Sequence, residues 1–225
     1  MRTLKIGLVT IGQSPRTDVT PIIKEALGSE VELVEKGALD GLTREEIDMF
    51  APAAGDYMLV TRIRDGSCVK VARRHVFPRV QKCIEELEEM GVDLTLLLCT
   101  AEFHEIKTEK LLINPDKLIT NIVWGILDHG RLAVVVPEKK QIPPSRRKWR
   151  KKGISLVMTN ANPYGEIKAS KEAADFLAKQ NADLIILDCV GFTPRHKELF
   201  KRLTGKPVIL PQTVIGRVLK ELVSA

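Results

Sequence analysis

A seven-residue pattern, Asp-Leu-x-x-Leu-x-Cys with mainly apolar residues between, occurs twice in this chain, as Asp93-Leu94-Thr95-Leu96-Leu97-Leu98-Cys99 and as Asp183-Leu184-Ile185-Ile186-Leu187-Asp188-Cys189, and each copy ends in a thiol. A short apolar run between polar ends reads as a buried parallel strand, and open α/β sheets bind ligands at the C-terminal ends of such strands. Thiols placed there act as nucleophiles or as general acids and bases. Cys99 and Cys189 are therefore the candidate catalytic residues. Cys189 has an added feature, because Val190-Gly191-Phe192-Thr193-Pro194 carries it directly to a helix start, whose free amides and dipole favour an anion. Gly191 also lets backbone approach a ligand closely. Cys83, inside a helical run, and Cys68 read instead as small hydrophobes.

The loop Gly12-Gln13-Ser14-Pro15-Arg16 is a second polar strand end. Ser14 and Arg16 offer a hydroxyl and a bidentate guanidinium suited to a carboxylate or phosphate; a Gly/Pro turn with Arg16 in solvent accounts for the same residues. Neither Gly-x-Gly-x-x-Gly nor a Lys-containing phosphate loop is present, so no nucleotide loop is assigned. Asn160-Ala161-Asn162-Pro163-Tyr164-Gly165 follows a strand of the second half and offers Asn160 and a phenol, although loop composition explains it equally well. Arg195 and His196 fall in the first turn after Thr193-Pro194, where positive side chains oppose the helix dipole unless a ligand or acidic partner holds them. Arg62 and Arg64 read as surface residues beside a hairpin turn. His75, His104 and His129 have no partner at metal-ligand spacing, and the four cysteines form no Cys-x-x-Cys pair. No metal and no cofactor are expected, and free thiols in a reducing compartment are the default.

Strand-end residues need parallel strands joined by helices, and the alternation of short apolar and longer amphipathic runs predicts that. Strands are expected at residues 4–11, 31–35, 93–99, 132–136, 154–159, 183–189 and 207–210. A hairpin of 57–62 with 68–71 is expected around Arg64-Asp65-Gly66. Helices are expected from an N-cap at Thr20 to a stop at Gly28, from the capping box Thr43-Arg44-Glu45-Glu46, and over about 73–90. Others should run from Asn114-Pro115 to about His129, along a basic stretch ending near Gly153, over 167–180, after Thr193-Pro194 and from Pro211. The repeat offset of 90 residues predicts an α/β fold of two pseudo-symmetric Rossmann-like lobes, mainly parallel sheets flanked by helices, with a cleft between them. Residues 1–112 are assigned to the N-terminal lobe and 113–210 to the C-terminal lobe. The helix 211–225 is open to packing back on the first.

With 225 residues, 44% of them hydrophobic, the chain can bury a substantial core. The net charge of +6 suggests nucleic acid until it is located: residues 138–153 hold eight Lys/Arg against one acid, leaving the remainder near neutral. Aromatics are 4% of the chain and no nucleic-acid motif is present, so a nucleic-acid partner is not favoured. The segment reads as a solvated helix face with Trp149 as inward anchor. No signal-peptide pattern opens the sequence and no apolar run approaches the ~18 residues of a membrane span, so a soluble, cytoplasmic protein without a membrane partner is expected.

Gly12-Gln13-Ser14-Pro15-Arg16, Leu39-Asp40-Gly41-Leu42-Thr43, Ala51-Pro52-Ala53-Ala54-Gly55, Leu98-Cys99-Thr100 and Leu187-Asp188-Cys189-Val190-Gly191-Phe192 with Arg195-His196 resemble the AroM family along essentially the whole chain. That family is linked in some organisms with genes of aromatic amino-acid synthesis. More distantly, one cysteine per lobe resembles the aspartate/glutamate/hydantoin racemase superfamily. There, without a cofactor, one thiolate takes an α-proton from one face of a carbon and the opposite thiol returns one to the other face. This chain departs from that pattern. Gln13-Ser14 stands where the racemases usually have Asp-Ser, Thr100-Ala101 where they have Asn-Thr, and Val190-Gly191 where Thr follows the second cysteine. The resemblance to the AroM family also implies that the first cysteine can be Ser in relatives, which suits a one-thiol decarboxylation or covalent isomerisation better than two-base racemisation.

The expectation is a cofactor-independent racemase- or isomerase-like enzyme. Cys99 and Cys189 would be its thiols, and Ser14, Arg16, Thr100, Asn160, Gly191, Arg195 and His196 would hold a small carboxylate or phosphate-bearing metabolite. The alternative is a non-catalytic metabolite-binding or regulatory protein using the same cleft. A homodimer is compatible with either reading.

Overall fold

The computed structural model describes residues 3–28 and 31–223; Met1, Arg2, Ser29, Glu30, Ser224 and Ala225, including the ends of the first and last expected segments, lie outside the described residues. The chain divides into two units, one running to Asp116 and resuming at Ile215, the other Lys117–Val214.

The first unit contains β1 (Leu4–Thr10), α1 (Thr20–Leu27), β2 (Val31–Gly37), α2 (Arg44–Asp48), the antiparallel hairpin β3 (Met58–Arg62) and β4 (Cys68–Ala72), α3 (Arg73–Glu89), β5 (Leu94–Leu98) and β6 (Leu111–Ile113). Its parallel sheet has the order β2-β1-β5-β6. Helix α4 (Pro115–Ile126) begins in this unit, and β7 (Gly130–Val136), a 3-10 turn at Lys139–Gln141, α5 (Ile142–Lys148) and β8 (Ile154–Asn160) follow. Next come α6 (Ile167–Ala178), β9 (Leu184–Leu187), α7 (Pro194–Thr204), β10 (Val208–Ile209) and α8 (Pro211–Val223). The second parallel sheet has the order β10-β9-β7-β8. Read from its other edge, it repeats the order of the first: second strand, first, third, fourth. The hairpin is the first unit's extra element. Strands β5 and β9 occupy equivalent places, and both lead into a cysteine.

Period-two alternation divides each buried strand between two cores. Along β9, Leu184 and Ile186 join Trp149, Ile119 and Val123 on one face, while Ile185 and Leu187 join Ala173, Phe192 and Phe200 on the other. In the first unit, Val9 and Leu97 pack with Leu59, Val76, Val80 and Ile84.

The capping box at Thr43 forms as expected, with Thr43 Oγ1 accepting from the Glu46 amide and Glu46 accepting from the Thr43 amide. Four local readings need correction. Val19, not Thr20, is the N-cap of α1, and the buried Thr20 hydroxyl makes no hydrogen bond. Strand β6 was not expected; its three residues carry no pattern of their own and are held by pairing with Leu94–Leu96. Helix α4 stops at Ile126, short of His129. Helix α5 ends at Lys148, because Trp149 is fully buried and the chain turns there.

Candidate active site

The two thiols sit in matching backbone settings. At the end of β5 the Cys99 amide donates to Leu97 O at 2.9 Å, and at the end of β9 the Cys189 amide donates to Leu187 O at 2.8 Å. Each strand thus closes in a three-residue γ-type turn, centred on Leu98 and on Asp188. Each sulfur then receives the backbone N–H two residues on, from Ala101 at 3.4 Å to Cys99 Sγ and from Gly191 at 3.3 Å to Cys189 Sγ. An N–H aimed at sulfur is placed to stabilise negative charge developing there. Cys99 is 7% exposed and Cys189 8%. Cys83 differs: on α3, burial and then Glu86 and Asp40 push its thiol up to about 11, as befits a packing residue.

Strands β1 and β5 are neighbours with Thr10 opposite Leu98, so the loop after β1 emerges beside Cys99 and the buried Thr100. That loop is stitched by residues from two other segments, and Arg79 in turn holds the first of them. Ser14 donates through its amide to Asp40 Oδ1 at 2.8 Å and through its hydroxyl to Asp40 Oδ2 at 2.6 Å, and the Gly37 amide also reaches Oδ2 at 2.8 Å. Arg64 donates to Ser14 O at 3.0 and 2.8 Å, while its amide donates to Gln13 Oε1. Arg79 donates to Ala38 O and, at 3.1 Å, to Asp40 O. Arg64 is exposed as expected, yet it clamps the loop; neither it nor Asp40 was singled out from the sequence as a site residue. The Asp-Gly turn signal of Asp40-Gly41 was the available clue.

Arg16 is 2% exposed, with Nε and Nη2 both donating at 2.8 Å to Asp18 and Nη1 donating to Thr10 Oγ1 at 2.9 Å. Burial raises the Asp18 carboxyl, but the hydrogen bonds and charge of Arg16 outweigh it and hold Asp18 below the usual carboxylate value. The guanidinium is therefore engaged inside the loop. Gly12 is required where the loop crosses the hairpin: a Cβ there would lie 2.2 Å from Arg62 O, a backbone atom that cannot swing aside. Gly12→Ala is expected to cost about 1–3 kcal/mol of stability by forcing hairpin and loop apart. Denaturant unfolding reads this directly.

In the second unit the Cys189 turn is held on several sides. The Asp188 amide donates to Val135 O at 2.9 Å, and Gln212 Nε2, fully buried at the start of α8, donates to Val190 O at 2.6 Å. Gly191 faces the Tyr164 ring so closely that a Cβ would lie 2.4 Å from the phenol oxygen. Asn160 ends β8 and is exposed. Arg195 is exposed and lines a groove of about 540 Å³ between α6 and α7 with Lys168, Lys171, Glu198 and Arg202.

His196 is buried as the N3 partner of a capping box: the Thr193 amide donates to His196 Nδ1 at 3.1 Å, and Phe192 meets the ring edge-on at 5.4 Å. Burial, and then the Arg195 charge, lower its pKa from the usual 6.5. The unfolded chain takes up the proton near 6.5 and the folded protein only at lower pH. The contribution of His196 to stability is therefore complete above about 6.5 and is lost as pH falls from there through the lower pKa of the folded protein. His196→Gln keeps an N3 cap without a titrating ring. It is expected to lessen the stability difference between about pH 5.5 and pH 7.5 measured by denaturant unfolding.

The sequence reading of residues 138–153 as a solvated face holds for Lys139, Lys140, Arg146, Arg147, Arg150 and Lys152, which are exposed. It fails for Lys148, whose ammonium is paired with Asp188 at 3.0 Å, both side chains 5% exposed. No sequence signal marked this pair. Among the described residues there is no cluster of three or more His, Cys, Asp or Glu suited to a metal ion, and no helix long and apolar enough to cross a membrane.

The fold is that of several solved racemases and isomerases. Glutamate racemase from Francisella tularensis, solved with D-glutamate, matches with a TM-score of 0.64 at 14% identity, over 98% of this chain and 81% of that one. Allantoin racemase from Klebsiella pneumoniae matches at 0.62 and 13% identity, over 98% and 88%. Maleate isomerase from Pseudomonas putida matches at 0.59 and 13% identity, over 98% and 93%. These are likenesses of architecture, two α/β units with parallel sheets flanked by helices. No curated protein sequence matches the chain. The family model described as AroM protein matches residues 6–223, and with the fold and the paired thiol turns in place, the chain belongs to the AroM family.

Proposed function

We propose that this protein is a cofactor-independent, racemase- or isomerase-like enzyme acting on a small carboxylate, with Cys189 and Cys99 as its acid/base or nucleophilic thiols. The observation that carries the reading is the duplicated thiol turn: two cysteines at equivalent strand ends, each with a backbone N–H on its sulfur. The protonated thiol is an acid and the thiolate a base, so two such groups supply both partners for moving a proton at an α-carbon. The racemases and the maleate isomerase that share the fold support the reaction class.

In this reading Ser14, Arg16 and His196 serve the fold, since polar atoms of each are engaged by Asp40, by Asp18 and Thr10, and by Thr193 respectively. Recognition of the carboxylate falls to Thr100 and Asn160. The test is to incubate the protein with a panel of amino, hydroxy and unsaturated dicarboxylic acids in heavy water. Deuterium at an α-carbon, or cis–trans conversion, would be followed by NMR. Incorporation that depends on the thiols supports the reading; a complete absence across the panel, together with saturable binding of one member, would instead favour a metabolite-binding protein.

A further inference from the structure

The same turn is built twice on different chemistry. At the centre of the Cys99 turn stands Leu98, an apolar residue 1% exposed. At the centre of the Cys189 turn stands Asp188, whose carboxylate takes three contacts from two donors: Lys148 Nζ at 3.0 Å to Oδ1 and 3.2 Å to Oδ2, and Trp149 Nε1 at 2.7 Å to Oδ2. The Lys148 ammonium also lies 4.9 Å from the centroid of the Trp149 ring. Burying a pair of charges costs desolvation that an apolar residue avoids, and replacing such pairs by packed hydrophobes is often neutral or stabilising. The Leu98 turn shows that this fold can close the strand without one. Stability of the turn is then a poor reason for the pair.

Direct contact with substrate is a poor reason too. Ile185, Leu187 and Cys189 belong to one core of the second sheet, whereas Leu184 and Ile186 belong to the other, with Trp149. Asp188 reaches Trp149, so its side chain leaves the chain on the face opposite Cys189. Whatever it does for the thiol passes through the backbone.

We propose that Lys148, Asp188 and Trp149 are positioning residues that lock the turn presenting Cys189, keeping its sulfur under the Gly191 N–H. The inference rests on Cys189 being the working thiol. It makes the two cysteines unequal by construction, since a charge-assisted bidentate contact from Lys148 and an indole N–H hold one turn more stiffly than apolar packing holds the other. It also assigns a task to one cation of the basic segment.

The test is thiol alkylation by iodoacetamide as a function of pH, with Cys189 and Cys99 quantified separately by peptide mass spectrometry. Lys148→Met alone leaves a buried carboxylate without its cation, so the main variant is Lys148→Met/Asp188→Asn, which removes both charges and keeps an acceptor for Trp149. Circular dichroism verifies that it is folded. The midpoint of the Cys189 profile is expected to rise by about one pH unit as the N–H···S contact loosens, with the Cys99 profile unmoved. Lys148→Arg with Asp188 intact, which keeps the charge pair, is expected to leave the Cys189 midpoint close to that of the wild type. A folded double variant whose Cys189 profile superimposes on wild type overturns the proposal, as does an equal shift of both cysteines. Because alkylation needs no substrate, this outcome is read independently of the heavy-water assay that tests the catalytic reading.

Discussion

Cys189→Ala is expected to cut solvent-deuterium incorporation by about 10²–10⁴-fold, the usual contribution of a positioned general acid or base. The substitution removes one sulfur from a site 8% exposed and leaves the Gly191 amide, the Gln212 bond to Val190 O and the Asp188 anchor in place, so the loss would report chemistry. Cys99→Ser provides the comparison. If both thiols move protons, the two variants fall by similar factors, because racemisation needs a base on one face and an acid on the other. If one thiol suffices, Cys99→Ser falls by less than about tenfold while Cys189→Ala remains inactive. The extra anchoring of the Cys189 turn favours the second pattern. Wild-type turnover in Cys189→Ala would sink the thiol mechanism.

Asp188→Ala is expected to cost about 3–5 kcal/mol of unfolding free energy, because it strands the Lys148 ammonium in a site 5% exposed and takes the acceptor from Trp149. The cost comes mostly from the orphaned charge. Lys148→Met/Asp188→Asn should therefore be clearly more stable than Asp188→Ala, although it lacks the ion pair. Chemical denaturation of the wild type and both variants measures this difference. A loss below about 1 kcal/mol for Asp188→Ala would mean that water reaches the pair, as for surface ion pairs, and would remove the physical basis for treating it as an anchor.

Most elements were legible because their signals are local. The capping box at Thr43 lies within four residues, the hairpin of β3 and β4 is announced by Asp65-Gly66, and Pro207 and Pro211 bracket even the two-residue β10. Strand β6, equally short, has no such punctuation and exists only through its neighbour β5. The sequence suggests a longer α5 for a related reason: eight cations within residues 138–153 suggest a long polar face, and only the burial of Trp149 shows where the chain turns inward.

The sequence by itself determined the class of the fold, the duplication and the two thiols, because a buried parallel strand ending in cysteine is written in consecutive residues and can be recognised twice. What each polar residue does was decided by the tertiary structure. Ser14 meets Asp40 across 26 residues, Arg64 meets Ser14 across 50, and Lys148 meets Asp188 across 40. Even Arg16, whose partner Asp18 is two residues away, reads as a solvent-facing ligand for an anion until its burial is known. The physical reason is that the role of a charge depends on its solvation and on where its counter-charge lies, and folding sets both by bringing distant segments together, whereas hydrophobic periodicity and helix caps act between near neighbours in the chain.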